Sequence, residues 1–363
     1  MTLRRPLFFM IPIVALLSGC DMVVLAPSGY VAAQQRDMLV SATLLMLLII
    51  IPVMGLTAFF AWRYSARRQQ RYRPDWHHST SLELVIWAAP LLIIICLSAM
   101  TWVGTHRLDP FRPLTHIGER RPIPDGVKPL DIEVVALDWK WLFIYPDYGI
   151  ATVNEMAAPV DRPINFHLTS ATVMNAFYVP ALAGMIYAMP GMESQLHAVM
   201  NLPGDYKGFS ANYSGAGFSG MHFRFEGLDA SAFDGWVQSV RRNGDSLGRA
   251  NYLELAEPSE NVKPAYFSTV DPDLFHRILN RCVETGRMCI DQMTALDARG
   301  GTGVVGALNT IPAPGRQASA FGFAPFYVGG ACTVAESVAQ YGPDTIALLD
   351  ARPASRKTAD QTF

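Results

Sequence analysis

Two uncharged apolar runs, separated by one arginine-rich connection, constrain this chain more than any other feature of it. Leu39–Trp62 runs 24 residues without a charge, and Leu84–Val103 runs 20. About 20 apolar residues in a helix cross a hydrocarbon core of about 30 Å, so each run is long enough to span a bilayer. Pro52 and Pro90 fall inside the runs, where neighbouring helices can re-satisfy the freed carbonyls. Trp62, Trp87 and Trp102 stand near run ends, the level at which aromatic belts form. The 21-residue connection carries Arg63, Arg67, Arg68, Arg71 and Arg73 against Asp75 and Glu83. Positive residues are retained in the cytoplasm, which places the loop 63–83 there and both ends of the hairpin 39–104 outside.

Residues 1–19 read as an export signal: Arg4 and Arg5 form a basic start, and Leu7–Leu17 is an apolar run too short to span. It ends in Leu17-Ser18-Gly19-Cys20, which resembles a bacterial lipobox, so Cys20 is the expected lipidation site. Asp21 resembles the residue that keeps such lipoproteins in the inner membrane. Residues 20–38 are then an exported N-terminal segment. Charged residues make up 17% of the chain, against about 25% in soluble domains, and the deficit sits in the first 104 residues. That distribution excludes a polytopic transporter and a purely soluble enzyme. A net charge of −2 with no basic stripe excludes nucleic acid as a partner.

Beyond the hairpin the pattern changes to short alternating segments broken by Gly, Pro and Asn. Ile132–Leu137, Ile164–Leu168 and Gln195–Val199 read as strands, and such spacing predicts an all-β sandwich over 125–230. Residues 231–294 read as a helical C-terminal region, with helices over Ala230–Arg241 and Asp271–Asn280. Asp271-Pro272-Asp273 supplies a cap and a first-turn proline for the second. The tail 295–363 is rich in Gly, Ala, Pro and Thr with little periodicity, a composition expected of disorder. Of the five cysteines, Cys20, Cys96, Cys282, Cys289 and Cys332, none lies in the sandwich. An exported compartment permits Cys282 and Cys289 to pair, but seven residues apart on one helix they would sit too far apart to bridge.

Three segments carry a family resemblance. Asp138-Trp139-Lys140-Trp141-Leu142-Phe143-Ile144-Tyr145-Pro146, Val173–Pro180 and Asn212–Met221 resemble, in order, the aromatic segment and the two copper loops of subunit II of haem–copper terminal oxidases. The likeness covers residues 1 to about 290 and is greatest to the bo-type ubiquinol oxidases. It implies a cupredoxin-like sandwich carried on a two-helix membrane hairpin. In the cytochrome c-oxidising branch the loops hold a binuclear copper centre, CuA. Here its first-loop His position is Asn175, its two Cys positions are Tyr213 and Gly217, and the Glu between them is Gly215. The second His is Met221 and the Met is Arg224. Two copper ions bridged by thiolates need thiolates, so no metal is expected in this chain. His167, His197 and His222, with Met185, Met189 and Met192, lack the Cys that a blue-copper site also requires. Strand alternation turns His222 away from the Met221 face.

Three further side chains need weighing. Glu83 opens the second run on the cytoplasmic side; the resemblance implies a proton-path entrance there, while Thr80-Ser81-Leu82-Glu83 also fits a helix capping box. Trp139 and Trp141 lose any electron-relay role without copper, which leaves packing. The expected function is therefore that of subunit II in a proton-pumping ubiquinol oxidase that reduces oxygen to water. It would be a structural and assembly subunit with no catalytic centre of its own. Haems and copper belong to subunit I, the expected partner with further membrane subunits, and ubiquinol reaches the complex from the lipid. Two rival readings are a stand-alone membrane-anchored lipoprotein acting as a binding module and a CuA-bearing cytochrome c oxidase subunit. The hairpin speaks against the first and the missing ligands against the second.

Overall fold

The structure is a computed structural model that describes residues 23–65 and 78–298. The signal 1–19, Cys20, most of the arginine-rich loop and the tail from 299 lie outside the described residues. Helix α1 (Tyr30–Arg63) and helix α2 (Thr80–Arg107) contain the two apolar runs. At 1.5 Å per residue, α1 is about 50 Å long, some 20 Å more than a hydrocarbon core needs. Part of the excess is its first two turns, about 11 Å, which pack with the sandwich domain. Val31 and Ala32 are buried there, and the Ser28 and Gly29 N–H groups donate to the Ala181 carbonyl at 3.0 and 2.8 Å. Gly29 bridges to Met200, and a Cβ at Gly29 would stand 2.5 Å from the Leu182 carbonyl oxygen. The backbone enters the helix through a gap that only glycine fits. At the end of the hairpin nearest the sandwich, a Cβ on Gly104 would meet the Met38 sulfur at 2.4 Å, so the two helices approach closely.

A small hairpin of β1 (His116–Gly118) and β2 (Arg121–Pro122) leads into the sandwich. Its strands are β3 (Leu130–Leu137), β4 (Lys140–Tyr145), β5 (Ile150–Val153), β6 (Glu155–Pro159), β7 (Pro163–Ser170), β8 (Asn175–Tyr178), β9 (Ile186–Ala188), β10 (Ser194–Val199), β11 (Gly204–Ser210) and β12 (His222–Leu228). Two later strands, β13 (Asp245–Leu247) and β14 (Ala265–Val270), extend the first sheet. The sheets run β10-β7-β3-β4-β5-β14-β13 and β6-β12-β11-β8-β9. Between them Trp141, Phe143, Phe166, Phe177, Phe223 and Phe225 fill the core; the Phe177 and Phe223 rings stack at 5.3 Å. Each such side chain contributes about 1.5–3 kcal/mol of burial. Strand β12 shows the period-2 origin of that core: Phe223 and Phe225 point in, His222 and Arg224 out.

Strand β4 is buried on both faces, which explains its unbroken Trp-Leu-Phe-Ile-Tyr run. Its second face packs with Val135 and Leu137 against Leu247, Tyr252, Leu274, Phe275 and Ile278. These come from the C-terminal region, where α3 (Ala230–Asn243), α4 (Arg249–Ala256) and α5 (Leu274–Leu279) form. The region is therefore not helical alone, as expected from the sequence. Ala265–Val270, rich in aromatic and β-branched residues, pairs antiparallel with β5. Helix α5 also starts later than its cap suggested. The Asp271 carboxylate accepts the Asp273 N–H at 3.1 Å and the Asp271 carbonyl accepts the Leu274 N–H at 3.0 Å, so Pro272 lies in a turn ahead of the helix.

Cys282 and Cys289 are each disulfide-bonded, and the geometric ground for expecting them to stay apart is corrected. The helical spacing on which it rested does not exist. Helix α5 ends at Leu279, and Arg281 takes φ +54°, so the chain leaves the helix before Cys282. Residues from Glu284 form a second unit, in which Cys289 caps helix α6 (Ile290–Asp297).

Candidate functional site

The two loops singled out in the sequence meet at one end of the sandwich. The first, Thr172–Met174, feeds β8; the second, Ala211–Met221, joins β11 to β12 and contains a 3-10 turn over Ala216–Gly220. The Ala211 N–H donates to the Ala176 carbonyl at 2.9 Å, and the Ser210 N–H to the Met221 carbonyl at 3.2 Å. Asn175 is buried, accepts the Ser210 hydroxyl at 3.1 Å and donates to the Val173 carbonyl at 3.2 Å. The Asn212 amide donates to the Met174 carbonyl at 3.2 Å. Met221 is buried, with the Ser214 hydroxyl 4.0 Å from its sulfur.

The remaining positions diverge from any common centre. Tyr213 is 75% exposed, its ring edge-on to Phe218 at 5.6 Å. Arg224 lies on the outer face of β12, where it pairs with Asp205 at 2.8 Å and Glu226 at 2.7 Å. Gly215 sits at φ +114°, a conformation that favours glycine. Above both glycines lies the indole of Trp139, whose Nε1 donates to the Ser214 carbonyl at 3.1 Å. A Cβ at Gly217 would stand 2.5 Å from the Trp139 ring and 2.7 Å from the Glu260 side chain. These residues do not fit a thiolate-bridged dinuclear centre: one Cys position points to solvent as a phenol, and the space at the other is filled. Among the described residues, no group of three or more His, Cys, Asp or Glu side chains could hold a metal ion.

Trp139 reaches this place because it is the second residue of the two-residue turn between β3 and β4, at φ +64°. Its neighbour Lys140 points the other way. The Lys140 ammonium is buried and donates to the Glu257 carbonyl at 2.6 Å and the Ser259 hydroxyl at 2.5 Å; burial lowers its pKa, opposed by Asp138 and Glu257. The Asn154 amide donates to the Val262 carbonyl at 2.8 Å. Lys140 and Asn154 thus hold the segment Glu257–Val262 against the second loop, where Glu260 meets Gly217 and Asn261 meets Gly220. The sequence reading did not anticipate this clamp. A single cation inside the apolar strand Lys-Trp-Leu-Phe-Ile-Tyr was its signal, because a buried ammonium must find acceptors.

The histidines do not assemble. His167 pairs with Glu193 at 2.6 Å and His197 contacts the Asn165 amide oxygen at 2.7 Å, both on the outer face of β7 and β10. His222 lies in the other sheet, exposed, with its pKa lowered by burial and by Lys207. Facing His167 across β3 and β7 is Glu133, whose carboxyl burial raises to about 7, partly opposed by His167. Trp141 is fully buried in the aromatic core, while Trp139 is half-buried.

Glu83 does not close a capping box. Helix α2 begins at Thr80 with Ser79 as its cap and no side-chain cap bond, so Glu83 is one residue past the reciprocal position. Its carboxylate instead reaches His78 at 3.5 Å and is more than half exposed.

Comparison with known proteins gives the following. The family described as cytochrome c oxidase subunit II, periplasmic domain, matches residues 148–227, and that described as the COX aromatic rich motif matches 241–286. The second stretch contains β13, β14 and the clamp segment. The chain is 49% identical over 267 residues to cytochrome bo(3) ubiquinol oxidase subunit 2 of Pseudomonas aeruginosa, covering 73% of this chain and 78% of that one. It is 44% identical to ubiquinol oxidase subunit 2 of Acetobacter aceti, covering 77% and 92%, and 38% identical to quinol oxidase subunit 2 of Bacillus cereus, covering 70% and 88%. A crystal structure of the periplasmic domain of cytochrome oxidase subunit II from Bradyrhizobium japonicum aligns at 25% identity and a TM-score of 0.30, covering 32% of this chain and 95% of that one.

Proposed function

The chain belongs to the subunit II family of haem–copper oxidases, on its ubiquinol-oxidase branch, and from that premise we propose that it is the copper-free, structural subunit II of a proton-pumping ubiquinol oxidase. One observation carries the copper-free part: the Trp139 indole and Glu260 occupy the space into which a ligand at position 217 would project. A domain without a metal offers an aqueous electron donor no entry point. The electrons then come from a lipid-soluble quinol and pass to haems and copper held by subunit I, which this chain supports from outside. The exported domain lies in the periplasm of a bacterial inner membrane, the loop 63–83 in the cytoplasm, and Cys20 carries the lipid anchor. Glu83, with its carboxylate free of any capping role, stands at the cytoplasmic mouth as one wall of a proton entrance. An ionisable group at a membrane-facing helix end merits a functional role.

The test is metal analysis with electron paramagnetic resonance on the purified complex after incubation with copper. We expect copper only at the level of the subunit I centre. A mixed-valence dinuclear copper signal from this chain would overturn the proposal.

A further inference from the structure

One cavity of about 1070 Å³ lies where the hairpin meets the exported domain. That exceeds the space needed for a few buried waters and reaches the size of ligand sites. Its lower wall is made by Met38 and Ser41 of α1 and by Met100, Val103 and Gly104 of α2, the outer ends of the two apolar runs. Its upper wall mixes charged and apolar residues, Arg107, Arg112 and Glu119 among Leu108, Leu114 and Leu196, and comes from α2's last turn, the linker after it and the edge of the sandwich. With the hairpin read as spanning the membrane, this cavity stands at the level of the outer-leaflet headgroups.

The charges on its rim are of both signs, and they divide into those already paired and those left over. Arg36 is ion-paired with its neighbour Asp37 at 2.6 Å; Asp109 accepts the Phe111 N–H at 3.0 Å, a bond that leaves its negative charge in place. Arg107, the last residue of α2, has no hydrogen bond or ion pair with any described residue. Arg112 reaches only the His106 carbonyl, at 3.5 Å. Glu119 likewise has no partner among the described residues. Two guanidinium groups, Arg107 and Arg112, and two carboxylates, Asp109 and Glu119, thus stand without an ion pair among the described residues around a space with an apolar floor, and of the two carboxylates Glu119 is the one whose side chain accepts no hydrogen bond there. Arg107 gains something from the helix C-terminus alone, but that does not account for Arg112 or Glu119, which lie outside the helix.

We infer that this cavity seats the headgroup of a glycerophospholipid bearing both a phosphate and a primary ammonium, as in phosphatidylethanolamine. Arg107 and Arg112 take the phosphate, for which guanidinium geometry is suited, and Glu119 takes the ammonium. The glycerol and the start of the acyl chains run down the Val103 and Met38 side. A purely anionic head such as phosphatidylglycerol would leave Glu119 unmatched. A choline head would fill the space but offers no N–H to the carboxylate.

The experiment uses the assembled complex, released from membranes and examined by native mass spectrometry after lipid exchange. Phosphatidylethanolamine, phosphatidylglycerol and phosphatidylcholine are supplied separately in nanodiscs. The wild-type chain should keep one phosphatidylethanolamine in preference to the other two. Loss of charge-assisted bonds in Arg107→Gln/Arg112→Gln should lower retention about tenfold. Glu119→Gln should keep a phospholipid but lose the preference for ethanolamine over choline. Retention that is equal in wild type and the double variant marks an annular lipid and overturns the inference. So does a wild-type chain that keeps no phospholipid, as when a partner polypeptide fills the cavity. Should the arginine variant fail to assemble, Glu119→Gln still decides. Haem content and subunit stoichiometry report separately on the oxidase reading: a wild-type chain that co-purifies with no haem complex sinks that reading, not the lipid site.

Discussion

Removing the Trp139 side chain should loosen the second loop without unfolding the sandwich, and its size can be worked from the structure. Replacing a fully buried Trp by Ala costs about 3–5 kcal/mol; Trp139 is half-buried, so about half of that applies. The Nε1 bond to the Ser214 carbonyl is lost as well, worth about 1 kcal/mol. Local opening of the loop should therefore become easier by about 3 kcal/mol, or about two orders of magnitude in the opening equilibrium. Position 139 offers an internal control, because its φ is +64°. Alanine there is as strained as tryptophan, whereas glycine relieves about 1–2 kcal/mol. Amide exchange followed by mass spectrometry in the intact complex reads the effect at the Phe218 and Met221 N–H groups, which bond within the loop at 3.3 and 3.1 Å. Trp139→Ala should speed their exchange about a hundredfold, with Trp139→Gly slower than Trp139→Ala and protection in β3 and β7 unchanged. Exchange at wild-type rates in Trp139→Ala, or a glycine variant faster than the alanine one, would refute the claim that the indole holds this loop shut.

Glu133 should give the exported domain a falling stability with rising pH. Its carboxyl is raised from 4.5 to about 7 by burial, so the folded chain holds a proton that the unfolded one has released. The contribution is complete below pH 4.5 and lost as pH rises through about 7, at most about 3 kcal/mol. Thermal unfolding from pH 5 to 8 should show this slope in wild type and a flatter one in Glu133→Gln; parallel curves would remove the assignment. For the anchor, intact mass should place lipidated Cys20 at the mature N-terminus, and Cys20→Ala should abolish lipidation while two spans keep the chain in the membrane. Free Cys20 in the mature protein would contradict this. For Glu83, turnover in Glu83→Gln should fall several-fold at normal haem content, with partial recovery in Glu83→Asp. Wild-type turnover in Glu83→Gln across pH 6 to 9 would end the proton-entrance reading.

What could be read from the sequence followed from local rules, and what could not depended on long-range packing. The hairpin was legible because lipid demands an uninterrupted apolar length, and period-2 alternation marked β3, β7 and β10 to within two residues at either end. Alternation also turned His222 to the face opposite Met221; in the structure Met221 is buried and His222 exposed. The two C-terminal strands were missed because β14 makes sense only beside β5, more than a hundred residues earlier. The cysteines were misjudged because a helix was extrapolated across Arg281, whose left-handed backbone ends it. The capping box at Glu83 failed by one residue, since the four-residue motif does not say which of Ser79 and Thr80 is the cap. At the candidate site the ligand substitutions were visible in the text, but the indole and the Glu257–Val262 clamp that fill the space were not.

On the copper-free function proposed above, that clamp bears on how the domain holds its loops. A metal centre would tie the two loops through its ligands, so losing the ligands should free the second loop to move. Here other bonds do that work. Backbone hydrogen bonds join Ala211 to Ala176 and Ser210 to Met221, and the buried amide of Asn175 bonds Ser210 from the first loop. From the far side, the Lys140 ammonium and the Asn154 amide anchor Glu257–Val262. A buried ammonium left without acceptors is costly, so Lys140 fixes that segment in one position. Glu260 and Trp139 then close on Gly217 from two directions. The loop geometry is thus set by Asn175 at one former ligand position together with residues scattered over β3–β4, β5–β6 and the C-terminal region. The hold on the second loop from Lys140, Asn154, Trp139 and Glu260 therefore does not depend on which side chains stand at Tyr213 and Met221.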